Sequence, residues 1–267
     1  MPEGQVSHRN AIVLTRAIAG SPLTRVHVPE PRLAPQRIDA RLMGDVLERM
    51  EARGKHHLFR FRSGRVLHSH LRMGGAWRAY PAGSEPPERG LWLVLATDHA
   101  VVAQYRGPVI RLLEPGAPLP AVDALGPDLL GAQADPEAIG RLLLSIEPTR
   151  QVGDAVMDQR VMSGIGNVYK SETLFLAGID PWRPVGGLTG EEAGSIGRIA
   201  AELLASGVRD RGRIRTWRAP LGAARPGERT WVYGRRGRPC RRCGTPVRSR
   251  GQGTSNRTTY WCPACQH

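Results

Sequence analysis

With 267 residues the chain has room for one large domain or for two to three small ones. It is 40% hydrophobic, and no apolar run approaches the ~18 residues that cross a bilayer, which argues against a membrane-spanning helix. The net charge of +14 points instead to a polyanionic partner.

The chain opens "MPEGQVSHRN". Polar and charged residues stand where a secretion signal would be apolar, so a leaderless cytoplasmic protein is expected. A small residue at position 2 favours removal of the initiator methionine, which would leave the secondary amine of Pro2 beside Glu3. Two readings stay open from these residues alone. Termini are often frayed and inert. Alternatively, an α-amino group titrating near pH 8 is partly neutral at physiological pH and can attack carbon, with a neighbouring carboxyl handling protons.

Residues 4 to 19 read as a helix closed by Gly20 and followed by Pro22. "HHLFRFRSGRVLHSHL" alternates apolar and polar residues about a Ser63-Gly64 turn, a hairpin pattern, and "LWLVLATDHAVVAQY" repeats it. A two-layer β-sandwich with one helix in front is expected. The Pro/Gly-rich "LLEPGAPLPAVDALGPDLLG" reads as a linker. Helical periodicity follows in "DPEAIGRLLLSI", "VGDAVMDQRVM", "NVYKSETLFLAGI" and "TGEEAGSIGRIAAELLASGV", the last with Thr189 and Glu192 placed for a capping box. In "SGIGNVYKSE", Gly164 and Gly166 allow a tight turn before a helix beginning near Asn167. Helix starts of this kind favour anions, and with Lys170 one turn on the stretch reads as a phosphate clamp.

The tail holds all four cysteines: Cys240, Cys243, Cys262 and Cys265, two C-x2-C knuckles 18 residues apart. This is zinc-ribbon spacing, and four thiolates close a tetrahedral structural site for one Zn2+ ion. Two disulfides, the other reading, suit a cytosolic chain poorly. The intervening "GTPVRSRGQGTSNRTTYW" reads as an arginine-studded hairpin, a stiff finger for a phosphate backbone. From residue 209 onward arginine recurs at 209, 211, 213, 215, 218, 225, 229, 235, 236, 238, 241, 242, 248, 250 and 257, with few acidic residues between. Such a stripe is the electrostatic footprint of nucleic acid. Only two of the 38 basic residues are lysines, Lys55 and Lys170, which marks both as places where a guanidinium will not serve.

Together "MPEG", "GKHHLF", "MDQRVMSGIGNVYKSETLF" and "WVYGRRGRPCRRCGTPV…NRTTYWCPACQ" resemble the formamidopyrimidine-DNA glycosylase and endonuclease VIII family of base-excision repair enzymes, from end to end and in the family's order. The resemblance implies an α+β multidomain fold: an N-terminal catalytic β-sandwich over residues 2–120, a helix–two-turn–helix domain over 133–222 and a zinc finger over 231–267. It implies that Pro2 attacks the sugar carbon of a damaged nucleotide and that Glu3 donates the proton that opens the sugar and releases the base. Lys55 matches the lysine of DNA binding and elimination, Arg257 the finger arginine of the second elimination, and Asn167 the asparagine that holds the DNA backbone. Arg72-Met73-Gly74 falls where the family carries its void-filling loop, and an apolar, flexible Met73 suits a wedge; Met73 as core filler is the alternative. The expected partner is damaged DNA, bound by a monomer with no membrane involvement and nucleoid-associated through that binding.

The chain also departs from the family. The purine-specific branch carries an arginine–phenylalanine pair in a run resembling Asp-Pro-Arg-Arg-Phe-Gly, and "AQYRGPVIRLL" lacks it. This tilts the expected substrate toward oxidised pyrimidines, as in the endonuclease VIII branch, and leaves Arg72, Arg106 and Arg111 as candidates for opposite-strand contacts. Three rivals remain: an oxidised-purine enzyme of the same family, a non-catalytic reader of damaged DNA, and a zinc-ribbon nucleic-acid-binding protein.

Overall fold

A computed structural model describes residues 2–218 and 228–267. Arg225 of the basic stripe, and Met1, lie outside the described residues. The chain forms two compact units, Met1–Asp123 and Ala124–His267. The helical segment and the cysteine finger, expected over 133–222 and 231–267, pack together in the second.

The first unit begins with helix α1 (Gly4–Ile18), continues through β1 (Arg25–His27) and α2 (Ile38–Leu42), and then runs through β2 (Leu47–Arg53), β3 (His56–Phe61), β4 (Val66–His70), β5 (Ala76–Pro81), β6 (Leu91–Ala96), β7 (Ala100–Tyr105) and β8 (Val109–Leu113). The strands form two four-stranded antiparallel sheets, ordered β2-β3-β4-β8 and β1-β6-β7-β5. The expected sandwich and front helix are present. Alternation sets which side chains go inward: Phe59, Phe61 and Leu67 join Trp77, Leu93, Leu95 and Val102 in one cluster. Each such side chain contributes about 2–3 kcal/mol by leaving water. The α1 residues Leu14 and Ile18 enter the same cluster, and Thr15 Oγ1 accepts the Met50 backbone N–H at 2.9 Å. The helix that carries the chain's first residues is thus fastened to β2.

The first unit ends with α3 (Pro120–Asp123). The second holds α4 (Pro136–Arg141), α5 (Val152–Ala155), α6 (Asn167–Ala177) and α7 (Gly190–Arg209), and a terminal hairpin of β9 (Arg248–Gln252) and β10 (Arg257–Trp261). The capping box of α7 is formed, with Thr189 Oγ1 accepting the Glu192 N–H at 3.1 Å and Glu192 accepting that of Thr189 at 2.8 Å. The helix expected through "VGDAVMDQRVM" stops after one turn. Beyond it Gln159 Nε2 donates to the carbonyls of Met157 and Ile165, and Asp158 is drawn to Arg150 and Arg160 at 2.8 Å each. These local bonds compete with the helical ladder and bend the chain into a turn.

Glu172 knits α6 to the approach to the hairpin. It is fully buried, yet its carboxylate accepts backbone N–H groups from Trp231, Val232 and Tyr233 at 2.8–2.9 Å, and the Thr216 hydroxyl. Burial is the larger influence and pushes its pKa up, while these four donors favour the charged form.

Candidate functional site

In the first unit Pro2 is half-buried. Glu3 occupies the N-cap position of α1 with an extended backbone (φ −122°) and is only 1% exposed. Its carbonyl accepts the Val6 N–H at 3.0 Å, which starts the helix immediately behind the pair. Lys55, half-buried, stands in the two-residue turn between β2 and β3, where Gly54 has φ +56°. Glycine at the first turn position suits the tight hairpins that the twist of paired strands favours. Lys55 is held by rigid strands on both sides.

The loop Arg72–Gly74 leaves β4 as an exposed turn, with Arg72 at φ +50° and Met73 62% exposed. That exposure favours the wedge over the core filler. Gly75 closes the turn against Gly107, where a Cβ would come within 2.8 Å of the Gly107 Cα. Arg106 and Arg111 are also exposed.

Strands β3 and β4 carry four histidines, His56, His57, His68 and His70. His56 pairs with His70 and His57 with Ser69 across the two strands. His56 Nδ1 lies 2.8 Å from His68 Nε2, and His70 Nδ1 accepts the Arg72 N–H at 3.0 Å, fixing the root of the Met73 loop. His57, fully buried, accepts from Asn10 Nδ2 of α1 at 3.1 Å and faces the Ser69 carbonyl through Nδ1 at 3.3 Å. Asn10 can only donate through nitrogen, so the His57 proton sits on Nδ1. Burial, with the neighbouring positive charges, pushes His56 and His57 down to about 3, and His68 and His70 to about 4. All four are neutral near pH 7. The "HH" and "HSH" spacings held the signal, but only the strand register shows which of them meet.

In the second unit Asn167 opens α6, 6% exposed, and its Nδ2 donates to the Thr258 carbonyl at 2.8 Å. Thr258 follows Arg257, which is exposed at the start of β10. Asn167 and the finger arginine, 90 positions apart in sequence, are thereby brought together. Lys170 departs from expectation. It is 1% exposed, and its Nζ donates to Thr259 Oγ1 at 2.6 Å. The ammonium turns into the packing beneath the hairpin, so the phosphate-clamp reading of Lys170 does not hold.

The sulfurs of Cys240, Cys243, Cys262 and Cys265 lie within 4.8 Å of one another, with Cys243 and Cys262 at 3.5 Å and Cys240 and Cys265 at 4.0 Å. Tetrahedral thiolates about 2.3 Å from a zinc ion stand about 3.8 Å apart, so the donor set fits a closed metal site. All four are free thiols, not disulfides. Among the described residues no helix is long and apolar enough to cross a membrane.

Comparison with known proteins agrees with this arrangement. The signature of the formamidopyrimidine-DNA glycosylase N-terminal domain matches residues 1–109, and that of the formamidopyrimidine-DNA glycosylase H2TH domain residues 125–218. A Streptomyces coelicolor protein named "Probable endonuclease 8 2" is 42% identical, over 100% of this chain and 94% of its own. The "DNA-(apurinic or apyrimidinic site) lyase Nei2" of Mycolicibacterium smegmatis is 38% identical over 100% and 99%. Among solved structures, the MutM (Fpg) protein of Thermus thermophilus is 30% identical with a TM-score of 0.75, covering 99% of this chain and 98% of that one. A Lactococcus lactis FPG variant in complex with Fapy-dG DNA, 24% identical, shares the fold at a TM-score of 0.82 over 100% of both chains. A sandwich begun by Pro2-Glu3 and a helical unit ending in a four-cysteine hairpin are the architecture of a DNA-repair glycosylase. The chain belongs to the formamidopyrimidine-DNA glycosylase family.

Proposed function

We propose that the chain works as a bifunctional DNA glycosylase and abasic-site lyase of base-excision repair, acting as a monomer on damaged DNA in the cytoplasm, with oxidised pyrimidines as its favoured lesions. Family membership carries the reaction class. The observation that carries the mechanism is a half-buried Pro2 followed by a Glu3 that is 1% exposed.

With Met1 removed, the neutral Pro2 nitrogen attacks the sugar carbon that bears the damaged base. The glycosidic bond breaks, the base leaves with a proton, and an iminium joins Pro2 to the sugar. Glu3, shielded from bulk water, supplies the proton that opens the sugar ring. Loss of a proton from the adjacent sugar carbon then expels the 3′ phosphate, and a second elimination expels the 5′ phosphate. Lys55 serves DNA binding and the first elimination, and Arg257 the second. Met73 fills the space the extruded nucleotide leaves, and Arg72 takes the neighbouring backbone. Asn167, with an N–H beyond the one given to Thr258, grips a phosphate. A single Zn2+ on Cys240, Cys243, Cys262 and Cys265 supplies no chemistry to the reaction; it folds the hairpin that presents Arg257.

The preference for pyrimidines rests on the connection between β7 and β8. Only residues 106–108 join them, and Tyr105 is tied back by a 2.8 Å hydroxyl–hydroxyl bond to Tyr80. So short a turn has no room for the arginine–phenylalanine loop of the purine branch. Duplexes each carrying one lesion, assayed for base release, test this. Thymine glycol and dihydrouracil should be released faster than oxidised guanine; the reverse order favours the purine reading.

A further inference from the structure

Lys170 is one of two lysines in a chain that otherwise uses arginine, and the reaction described above gives it no part. It starts a buried hydrogen-bond relay. Lys170 Nζ donates to Thr259 Oγ1 at 2.6 Å, and Thr259 Oγ1 donates to Gln252 Oε1 at 2.7 Å. Gln252 Nε2 donates to Gln151 Oε1 at 3.0 Å and to the Pro181 carbonyl at 2.7 Å. The relay runs from α6 through both strands of the hairpin to the entrance of α5. Thr259 and Gln252 are 0% and 5% exposed, so a broken link would strand a polar group away from water.

Gln252 is the cross-strand partner of Arg257. The relay therefore grips the rung of the ladder from which Arg257 projects, while Asn167 grips the next carbonyl of β10. Gly153 packs so closely on the Gln252 amide that no side chain fits there, which holds the rung from below. A compact ammonium on a flexible stem has three donors that can turn to the Thr259 hydroxyl and other nearby groups; a planar guanidinium carries five donors in a fixed fork, all needing partners.

We propose that Lys170 is a positioning residue for Arg257, acting through Thr259 and Gln252 to hold the finger arginine in register for the second elimination. This rests on the role of Arg257 proposed above. The test uses zinc-loaded full-length protein on abasic duplex DNA, reading the ratio of second- to first-elimination product beside the rate of borohydride trapping and zinc content. Thr259→Val keeps the shape and removes the hydroxyl; Thr259→Ser keeps the hydroxyl. Lys170→Met and Thr259→Val should each lower the product ratio roughly tenfold or more, since small misplacements of catalytic groups are costly. Trapping and zinc should stay near parental values. Thr259→Ser should match the parent, and the double variant should be no worse than either single one, as expected of one relay. Parental ratios in both Lys170→Met and Thr259→Val, beside a collapsed ratio in Arg257→Ala, overturn the inference alone. A parental ratio in Arg257→Ala removes the role of Arg257, and the inference with it. Should Lys170→Met fail to fold, the Thr259 pair decides; loss of zinc or trapping in Thr259→Val would make the relay a stability element and contradict the proposal.

Discussion

The carboxylate of Glu172 accepts the backbone N–H of Val232 at 2.9 Å, across 60 positions of sequence. With Trp231, Tyr233 and Thr216 on the same carboxylate, this one side chain anchors the stretch leading into the cysteine finger. Glu172→Gln turns an all-acceptor group into one that presents N–H to N–H donors. We expect a loss of about 3 kcal/mol, the scale for breaking buried charge-assisted bonds. Thermal unfolding should show a fall in Tm of roughly 10 °C, with DNA binding lost before the first unit unfolds.

The cysteine cluster and Arg257 separate two contributions of the finger. Cys262→Ser should lose zinc, unfold the hairpin and cost most DNA affinity, because such fingers fold on their metal. Arg257→Ala should keep its zinc yet weaken binding and the second elimination. If Arg257 also neutralises a phosphate, the slope of log affinity against log salt should fall by about one unit. Zinc analysis and binding at several salt concentrations measure both. Parental binding, cutting and salt response in Arg257→Ala would make the finger a structural clip.

His57 gives the first unit an acid limit. Its folded pKa, pushed down to about 3, lies below the ordinary 6.5. The native state therefore binds fewer protons, and the stability His57 contributes is present above pH 6.5 and lost as pH falls toward 3. Up to about 5 kcal/mol is at stake, at 1.36 kcal/mol per unit. His57→Leu should lower Tm at pH 7, because Asn10 loses its acceptor, yet flatten the loss of Tm between pH 6.5 and 4. An unchanged acid slope in that variant would assign the lability elsewhere.

Much of this was legible in the sequence because it is local. The hairpin about Ser63-Gly64, the Thr189–Glu192 box and the cysteine knuckles each depend on neighbours within a few positions. The adjacency of Pro2 and Glu3, on which the proposed chemistry rests, is local in the same way. The His57–Asn10 bond, the Glu172 cradle and the Lys170 relay join residues 44 to 101 positions apart or, as between Thr259 and Gln252, depend on strand register, and no spacing rule reaches them. Lys170 shows the difference. Its rarity among arginines singles it out in the sequence, but the direction of its side chain follows from how α6 packs on the hairpin, and that turns it inward to Thr259.

Glu3→Gln should split the two activities. Base release should fail for want of a proton donor, while a pre-formed abasic site is still cut through Pro2. Lesion duplex and abasic duplex, assayed in parallel, read the two steps separately. Equal loss of both would mean that Glu3 orients the amine and is not an acid.

The central claim, that the Pro2 amine is the nucleophile, is tested most directly by borohydride trapping on abasic-site DNA. The processed protein should yield a covalent adduct whose linked peptide begins at Pro2. Pro2→Gly, or extra residues ahead of Pro2, should abolish or sharply reduce the adduct while duplex binding survives. Undiminished trapping by a protein extended at its N-terminus, with the sugar attached to Lys55, would contradict the account.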